Sequence, residues 1–273
     1  MQQTKPQDFA TVAEAFSLTA EKYDNFAIDH PHLTRLREKA TNHIAKQLKS
    51  GESILELNAG TGIDAADLAR KGFRVHATDI SPGMLARAAA RTEKLGLGNR
   101  VSLQLCSFTD LADIEGGPYD AVFSNLGGLN CVDNLRPIVK QLPRVLRTGG
   151  LVTWVLMPKI CPWELATVFL GQPRLAFRRF SKNGTTAHLE GKYFKVNYFS
   201  AGEVKAAFGA DFRFVALEGL SVLTPTAESK NLAKRHPRLY STLAWLDDRI
   251  SHIPPFSGWG DFFIISFRYE PRR

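Results

Sequence analysis

Two carboxylates and two glycines carry the first chemical signal in the chain. In ELNAGTG, Glu56 precedes Gly60 and Gly62, and Asp79 follows in VHATDISPGML. Glycine admits backbone dihedrals closed to other residues and lets a ligand approach bare N–H groups. Where a helix starts just beyond, those groups sit at the positive end of its dipole. That chemistry suits a nucleotide-like ligand, with Asp79 spaced as a ribose-binding acid. Gly60, Thr61, Gly62, Ile63, Asp64 and Ala65 also satisfy the G-x-G-x-x-A fingerprint, so a nicotinamide ligand competes on equal terms at this point.

These residues need a strand ahead of the turn, a helix behind it and a second strand to carry Asp79. Ser53 to Leu57 reads as a short apolar strand, Ile63 to Lys71 as a helix stopped by Gly72, and Arg74 to Thr78 as the next strand. Ser81 followed by Pro82 is a helix start with a capping hydroxyl and a first-turn proline. Further strands are expected at Val101 to Leu105, Ala121 to Ser124 and Leu151 to Met157, with a helix from about Asn134 to Leu146. A helix with its apolar stripe at Leu33, Leu36, Ala40, Ile44 and Leu48 leads in. Strand and helix alternating at this spacing predict an α/β fold, a mostly parallel sheet with helices on both faces.

The rhythm breaks after Met157. Residues 158–199 read as a largely helical cap insertion, interrupted by Gly171 and Pro173. SAGE at Ser200 to Glu203 is a capping box. Phe212 to Leu220 is a strand, Glu228 to Ser251 a second helical insertion, and DFFIISFRY a closing strand that need not be parallel. With the closing pair the sheet has seven strands. One domain is expected over 1–273: an N-terminal lid and helix to 50, a ligand-binding core over 51–157, the cap, and C-terminal strands from 200.

Composition narrows the classes. The chain has 273 residues, 44% of them apolar and 23% charged, as in ordinary globular proteins. No basic-then-apolar leader and no long charge-free apolar run is present, so a cytoplasmic location without a membrane span is expected, with surface association left open. Cys106, Cys131 and Cys161 form no C-x-x-C pair that would suggest zinc or redox work. The net charge of +8 is lopsided: residues 151–273 hold 17 Lys and Arg against 10 Asp and Glu, the rest 18 against 17. A basic half attracts nucleic acid, anionic membrane or acidic substrates, or is simply solvated.

Three features separate the competing ligands. Glu56 lies inside the first strand, where dinucleotide folds keep an apolar run, no second glycine turn follows, and the chain ends on an aromatic-rich strand. In these respects the sequence resembles the class I S-adenosylmethionine-dependent methyltransferases over about residues 16–157, with weaker support from 200–269. Glu56, Gly60 and Gly62 match the family's acidic-x-x-x-G-x-G motif, and Asp79 its acid at the end of strand two. YDAVFSNLGGLN matches the motif after strand four, LPRVLRTGGLV the turn before strand five, and AFSLTAEKYDNF the lid of small-molecule enzymes.

The resemblance implies a Rossmann-like fold and S-adenosyl-L-methionine as cofactor. It places in the donor site Tyr23, Glu56, Asn58, Ala59, Gly60, Thr61, Gly62, Asp79, Ile80, Met84, Ser107, Phe108, Asn125 and Leu126. Asp79 would accept both ribose hydroxyls, Gly60 and Gly62 leave room for the methionine part, and Ile80 and Met84 flank the adenine. Glu56 would orient the loop or meet the ligand ammonium through water. The family often has an acid after strand three; here CSFTD puts Cys106, Ser107 and Phe108 in its place, so adenine would be met by backbone and Phe108.

Methyl transfer is an in-line displacement, so the protein has to position two reactants and exclude water. Ser124, Asn125, Leu126, Gly127 and Gly128 depart from the Asn/Asp-Pro-Pro-aromatic string associated with planar exocyclic amines, and Cys131 lacks the preceding proline of cytosine-C5 enzymes. His30, His32, His188, Tyr198 and His252 are loose candidates for a base, and His30 with His32 lacks the carboxylates a metal site needs. No catalytic residue and no metal ligand is assigned. The cap, with Trp163, Phe169 and Phe177 beside Arg174, Arg178, Arg179 and Lys182, is where a small, partly apolar or lipid-like acceptor would be met. An RNA acceptor using the basic half and a nicotinamide oxidoreductase stand as alternatives, the former without any RNA-binding module to support a stable nucleic-acid partner.

Overall fold

The computed structural model describes residues 9–27, 30–227 and 230–272. Residues 1–8, 28–29, 228–229 and 273 lie outside them, and with these the start of the chain, part of the lid stretch and the first residues of the second insertion.

Helices α1 (Phe9–Ala27) and α2 (Pro31–Ala45) precede the alternating units. These are β1 (Ser53–Leu57), α3 (Ile63–Arg70), β2 (Arg74–Asp79), α4 (Pro82–Lys94), β3 (Val101–Leu105) and β4 (Tyr119–Ser124). Next come the short helical turns α5 (Arg136–Val139) and α6 (Leu142–Val145), then β5 (Leu146–Leu156). The insertion holds α7 (Pro162–Leu165), α8 (Pro173–Ala176), β6 (Thr185–Leu189) and β7 (Lys192–Val196). The chain closes with α9 (Ala201–Phe208), β8 (Phe212–Leu220), α10 (Lys230–Arg235), α11 (Pro237–Ile250) and β9 (Phe262–Tyr269).

One seven-stranded sheet has the order β3-β2-β1-β4-β5-β9-β8, and only β9 runs against its neighbours. The sheet is apolar on both faces because alternate residues enter different cores. In β5, Val152, Trp154 and Leu156 pack with α5, α6 and α9, while Leu151 and Val155 join Leu36, Ile44 and Leu68 from α2 and α3. Strand order reverses between β1 and β4. Open α/β sheets bind ligands at such a point, beyond the carboxyl ends of the strands. A dinucleotide fold carries a sixth parallel strand beyond the fifth, whereas here the antiparallel β9 is wedged between β5 and β8.

Three sequence expectations change. The single helix expected over 134–146 is two turns, because Pro143 has no N–H to donate across the break. Strand five begins earlier, at Leu146, with the glycines of RTGG absorbed as an irregularity against β4. The second half of the cap is not helical but a β-hairpin turned at Glu190 and Gly191, both at positive φ, as a two-residue turn between twisted strands requires. No helix among the described residues is long and apolar enough to cross a membrane.

Candidate active site

A cavity opens at the switch point. Its floor is the turn after β1: Asn58 stands at φ 48° and Gly60 at φ 58°, and a Cβ added to Gly60 would meet nothing within 4 Å, so that glycine faces open space. Gly62 serves packing instead; a Cβ there would lie 2.9 Å from that of Ala88 on α4. Ala59 and Gly60 line the cavity, and Asn58 lines it while tying two loops together. Its amide donates to the Asn125 carbonyl at 3.2 Å and accepts from Ser124 Oγ at 2.7 Å.

Asp79 faces the cavity from the carboxyl end of β2. Its Oδ2 accepts the Gly60 N–H and its Oδ1 the Ser81 N–H, both at 2.8 Å. Burial pushes this carboxyl above its ordinary range, and the backbone N–H groups of Ser81, Gly60 and Ile80 oppose the shift. Ile80 and Met84 line the cavity beside it.

Behind the turn lies a buried ionic cluster. Arg37 of α2 donates to Asp64 Oδ2 at 2.5 Å and to the Tyr23 hydroxyl at 3.1 Å, and Asn125 Nδ2 reaches the same Asp64 oxygen at 3.0 Å. Tyr23, Arg37, Asp64 and Asn125 all line the cavity. Glu56 is 1% exposed beside them. Burial and then the neighbouring Asp64 charge push its carboxyl well above the usual carboxylate range. Glu56 Oε2, Asp64 Oδ1, Arg37 Nε and Thr61 Oγ1 are buried without a hydrogen-bond partner. Native interiors seldom leave such atoms orphaned. Arg37 and Asp64, which carry two of these atoms, line the cavity, whereas Glu56 and Thr61 do not.

The other wall is apolar. Val12 and Phe16 of α1 face Phe108, Leu126 and Cys131 across the cavity. Burial raises the Cys131 thiol to about 12, so this sulfur acts as a small apolar group. Ser107 points away, bonded to Thr109, and Cys106 lines the cavity instead. Helix α1 roofs the site: Ser17 Oγ lies 2.8 Å from Ser81 Oγ, and Asp24 accepts Arg91 at 2.7 Å and Arg87 at 3.3 Å. The hairpin braces α1 through Phe16 against Phe194, with ring centroids 5.8 Å apart, and through Lys192 to Glu14 at 2.7 Å.

None of the residues weighed as a base lines this cavity. His30 is bonded to the Ala227 carbonyl, and His32 lies between Tyr240 and Ser221, its pKa lowered by burial to about 4. Two arginines of the cap are internally committed. Arg178 grips Glu164 through two nitrogens at 2.8 and 2.7 Å, and Arg179 is 2% exposed between Glu164 and Asp261. Arg37, Val12 and Phe16 line the cavity outside every motif, and Asp64 lines it from a variable position of the glycine fingerprint.

Residues 54–150 match the family model described as a methyltransferase domain. The demethylmenaquinone methyltransferase of Leptospira interrogans is 31% identical over 159 residues, which are 56% of this chain and 63% of that protein. That of Corynebacterium efficiens is 31% identical over 148 residues, 52% of this chain and 57% of its own. The chain therefore spans less than two thirds of the length of the curated relatives it matches. Among solved structures, the [4+2]-cyclase SpnF has a TM-score of 0.61 at 15% identity over 96% of both chains. The Burkholderia thailandensis 1,6-didemethyltoxoflavin-N1-methyltransferase, solved with 1,6-didemethyltoxoflavin and S-adenosylhomocysteine, has 0.56 at 15%, covering 96% of this chain and 88% of that one. These likenesses show the fold, which carries more than one chemistry. The domain match lies on the strands and turns that build this cavity, so the methyltransferase-domain likeness falls on the part of the chain that forms it.

Proposed function

We propose that this protein transfers the methyl group of S-adenosyl-L-methionine to a small, partly apolar acceptor, with a quinone-like ring as the favoured class. The observation that carries the donor half is the set of unpaired buried atoms on Glu56, Asp64 and Arg37 around the glycine turn. A ligand bearing an ammonium and a carboxylate satisfies them, and a nucleoside attached to it would lie toward Asp79, whose oxygens keep lone pairs beyond those given to Gly60 and Ser81. Ile80, Met84 and Phe108 supply apolar surface for its base. The bound donor supplies an electrophilic methyl on a sulfonium; the chain positions, orients and keeps water out.

The apolar wall of Val12, Phe16, Leu126 and Cys131 supports an acceptor without strong charge. The names of the demethylmenaquinone relatives favour a reduced quinone among such molecules. An RNA acceptor is disfavoured by the internal pairing of Arg178 and Arg179.

S-adenosylhomocysteine should raise the melting temperature and NAD should not. Asp79→Ala should weaken S-adenosylhomocysteine binding by about 2 to 4 kcal/mol, the loss of one or two charge-assisted hydrogen bonds. Labelled-donor assays against reduced naphthoquinones, amines and RNA test the acceptor. Labelling of RNA but not of the quinols would overturn the acceptor reading, and unchanged affinity in Asp79→Ala would remove that residue from the site.

A further inference from the structure

The helical half of the insertion lines no part of the cavity, and several of its large apolar residues are exposed. Ala166–Leu170 is a single 3-10 turn ended by Gly171 at φ 73°. At its end Phe169 is 89% exposed and Leu170 74%, with Phe177 and Phe180 about half exposed nearby. Together with Val168 and Trp259, Phe169, Phe177 and Phe180 line an open apolar groove. Contiguous exposed apolar surface of this kind marks an interaction site rather than ordinary surface.

Two observations say what covers it. The first is charge. Residues 158–184 contain Lys159, Arg174, Arg178, Arg179 and Lys182 against one acid, Glu164, and that acid is 4% exposed and taken up by Arg178 and Arg179. The surface around the apolar tip therefore presents cations, Arg174 and Lys182 being exposed, with no acid of its own segment to answer them. A second copy of a chain of net charge +8 would bring like charge to like. The second is rigidity. Arg179 clamps the base of the tip to Glu164 and Asp261, and Gly260 N donates to the Ile160 carbonyl at 3.0 Å, so the tip is held out rather than folded onto the core. A rigid apolar knob ringed by cations is the pattern of an interfacial membrane anchor.

We propose that the tip over residues 166–182 docks on an anionic lipid bilayer, seating Phe169 and Leu170 at the acyl boundary while Arg174 and Lys182 meet lipid phosphates. The tip leaves the sheet a few residues after Met157, whose side chain abuts Gly127 in the loop that also carries Leu126 of the cavity wall. Docking there would bring the carboxyl edge of the sheet, and with it the cavity, to the membrane surface. The inference rests on the surface alone and stands or falls separately from the donor reading.

The test is co-sedimentation of the full chain with large vesicles of phosphatidylcholine alone or of equal parts phosphatidylcholine and phosphatidylglycerol, at low and high salt. The chain should pellet with the anionic vesicles, less so at high salt, and stay in solution with the neutral ones. F169S/L170S should lower the partition coefficient by tenfold or more, since both apolar anchors are withdrawn from the acyl boundary. R174E/K182E should lower it by about tenfold at low salt and flatten the salt dependence. Both variants should melt like the parent and keep their S-adenosylhomocysteine shift. Wild type remaining in solution with anionic vesicles, or both variants partitioning like the parent, overturns the proposal. So does a dimer in size-exclusion chromatography that F169S/L170S dissolves without any vesicle binding, which would make the tip a self-interface.

Discussion

Among the described residues, two buried arginine–carboxylate clusters differ in how completely they are satisfied. In the insertion, Arg179 Nε and Nη2 reach Glu164 at 3.0 and 2.6 Å, Nη2 reaches Asp261 Oδ1 at 2.8 Å, and Nη1 reaches the Asp261 carbonyl at 3.0 Å. At the glycine turn, Arg37 and Asp64 hold each other while Arg37 Nε, Asp64 Oδ1 and Glu56 Oε2 go unmatched. The first cluster is closed on itself, so its charges have no use for a ligand. The second is open. Unmatched buried polar atoms cost free energy that a complementary incoming group would recover, so the same residue types form a closed brace in one place and leave unpaired atoms in the other.

Breaking the closed cluster should have the largest effect. Arg179→Met takes from buried Asp261 its arginine and leaves Glu164 to Arg178 alone, and removal of one partner from such a cluster costs about 3 to 5 kcal/mol. Urea unfolding should show that loss, while S-adenosylhomocysteine affinity of the folded protein stays at its parental value. A variant of normal stability and weakened donor binding would reverse the assignment of the two clusters.

The open cluster makes the opposite demand. Burial pushes the Glu56 carboxyl well above the usual carboxylate range, so Glu56→Gln keeps the shape of a group whose charged form burial disfavours and should leave stability within about 1 kcal/mol. Donor binding should drop by about 2 kcal/mol, because the cationic ammonium loses the chance of a charged acceptor. The pH dependence has a definite sign. A cationic ligand favours ionised Glu56, so binding to the donor-free protein expels a proton, and affinity rises with pH until the pH passes the raised native pKa. Glu56→Gln should abolish that rise. Calorimetry in two buffers of different ionisation enthalpy reads the released proton directly; no proton release would show that Glu56 stays neutral and only shapes the turn.

The same contrast explains which parts were legible in the sequence. Gly60 and Asp79 announce themselves because a turn at positive φ and a carboxylate at a strand's end restrict residue type locally. The seven-stranded sheet follows from apolar runs separated by helix caps such as Ser81 and the box at Ser200 and Glu203. Arg37 and Asp64 did not show, since their pairing spans 27 positions and each alone reads as a charged helical residue. The hairpin was hidden for another reason. TTAHLEGKYFKV alternates around Glu190 and Gly191, but it follows an aromatic segment of helical spacing that draws the whole insertion into one class. The outward face of Phe169 was illegible because composition cannot tell a buried aromatic from a displayed one.

The smallest expected effect lies at the edge of the open cluster and sharpens its boundary. The Tyr23 hydroxyl accepts Arg37 Nη2 at 3.1 Å from the roof helix, and its ring lines the cavity. Tyr23→Phe keeps the ring and removes one hydrogen bond to a charged donor whose main partner, Asp64, is untouched. A bond of this kind contributes about 0.5 to 1.5 kcal/mol net, so donor affinity should fall by no more than about tenfold, without the pH change expected of Glu56→Gln. Hydrogen exchange separates the two ways that loss could arise. If Tyr23 acts by fastening the roof, amides of α1 should exchange faster in Tyr23→Phe than in the parent when both are saturated with S-adenosylhomocysteine. If it acts by aiming Arg37 at the ligand, α1 should be equally protected in both and the whole loss should appear in affinity. A loss as large as that of Glu56→Gln would move Tyr23 from the rim of the cluster to its centre, with its hydroxyl touching the donor itself.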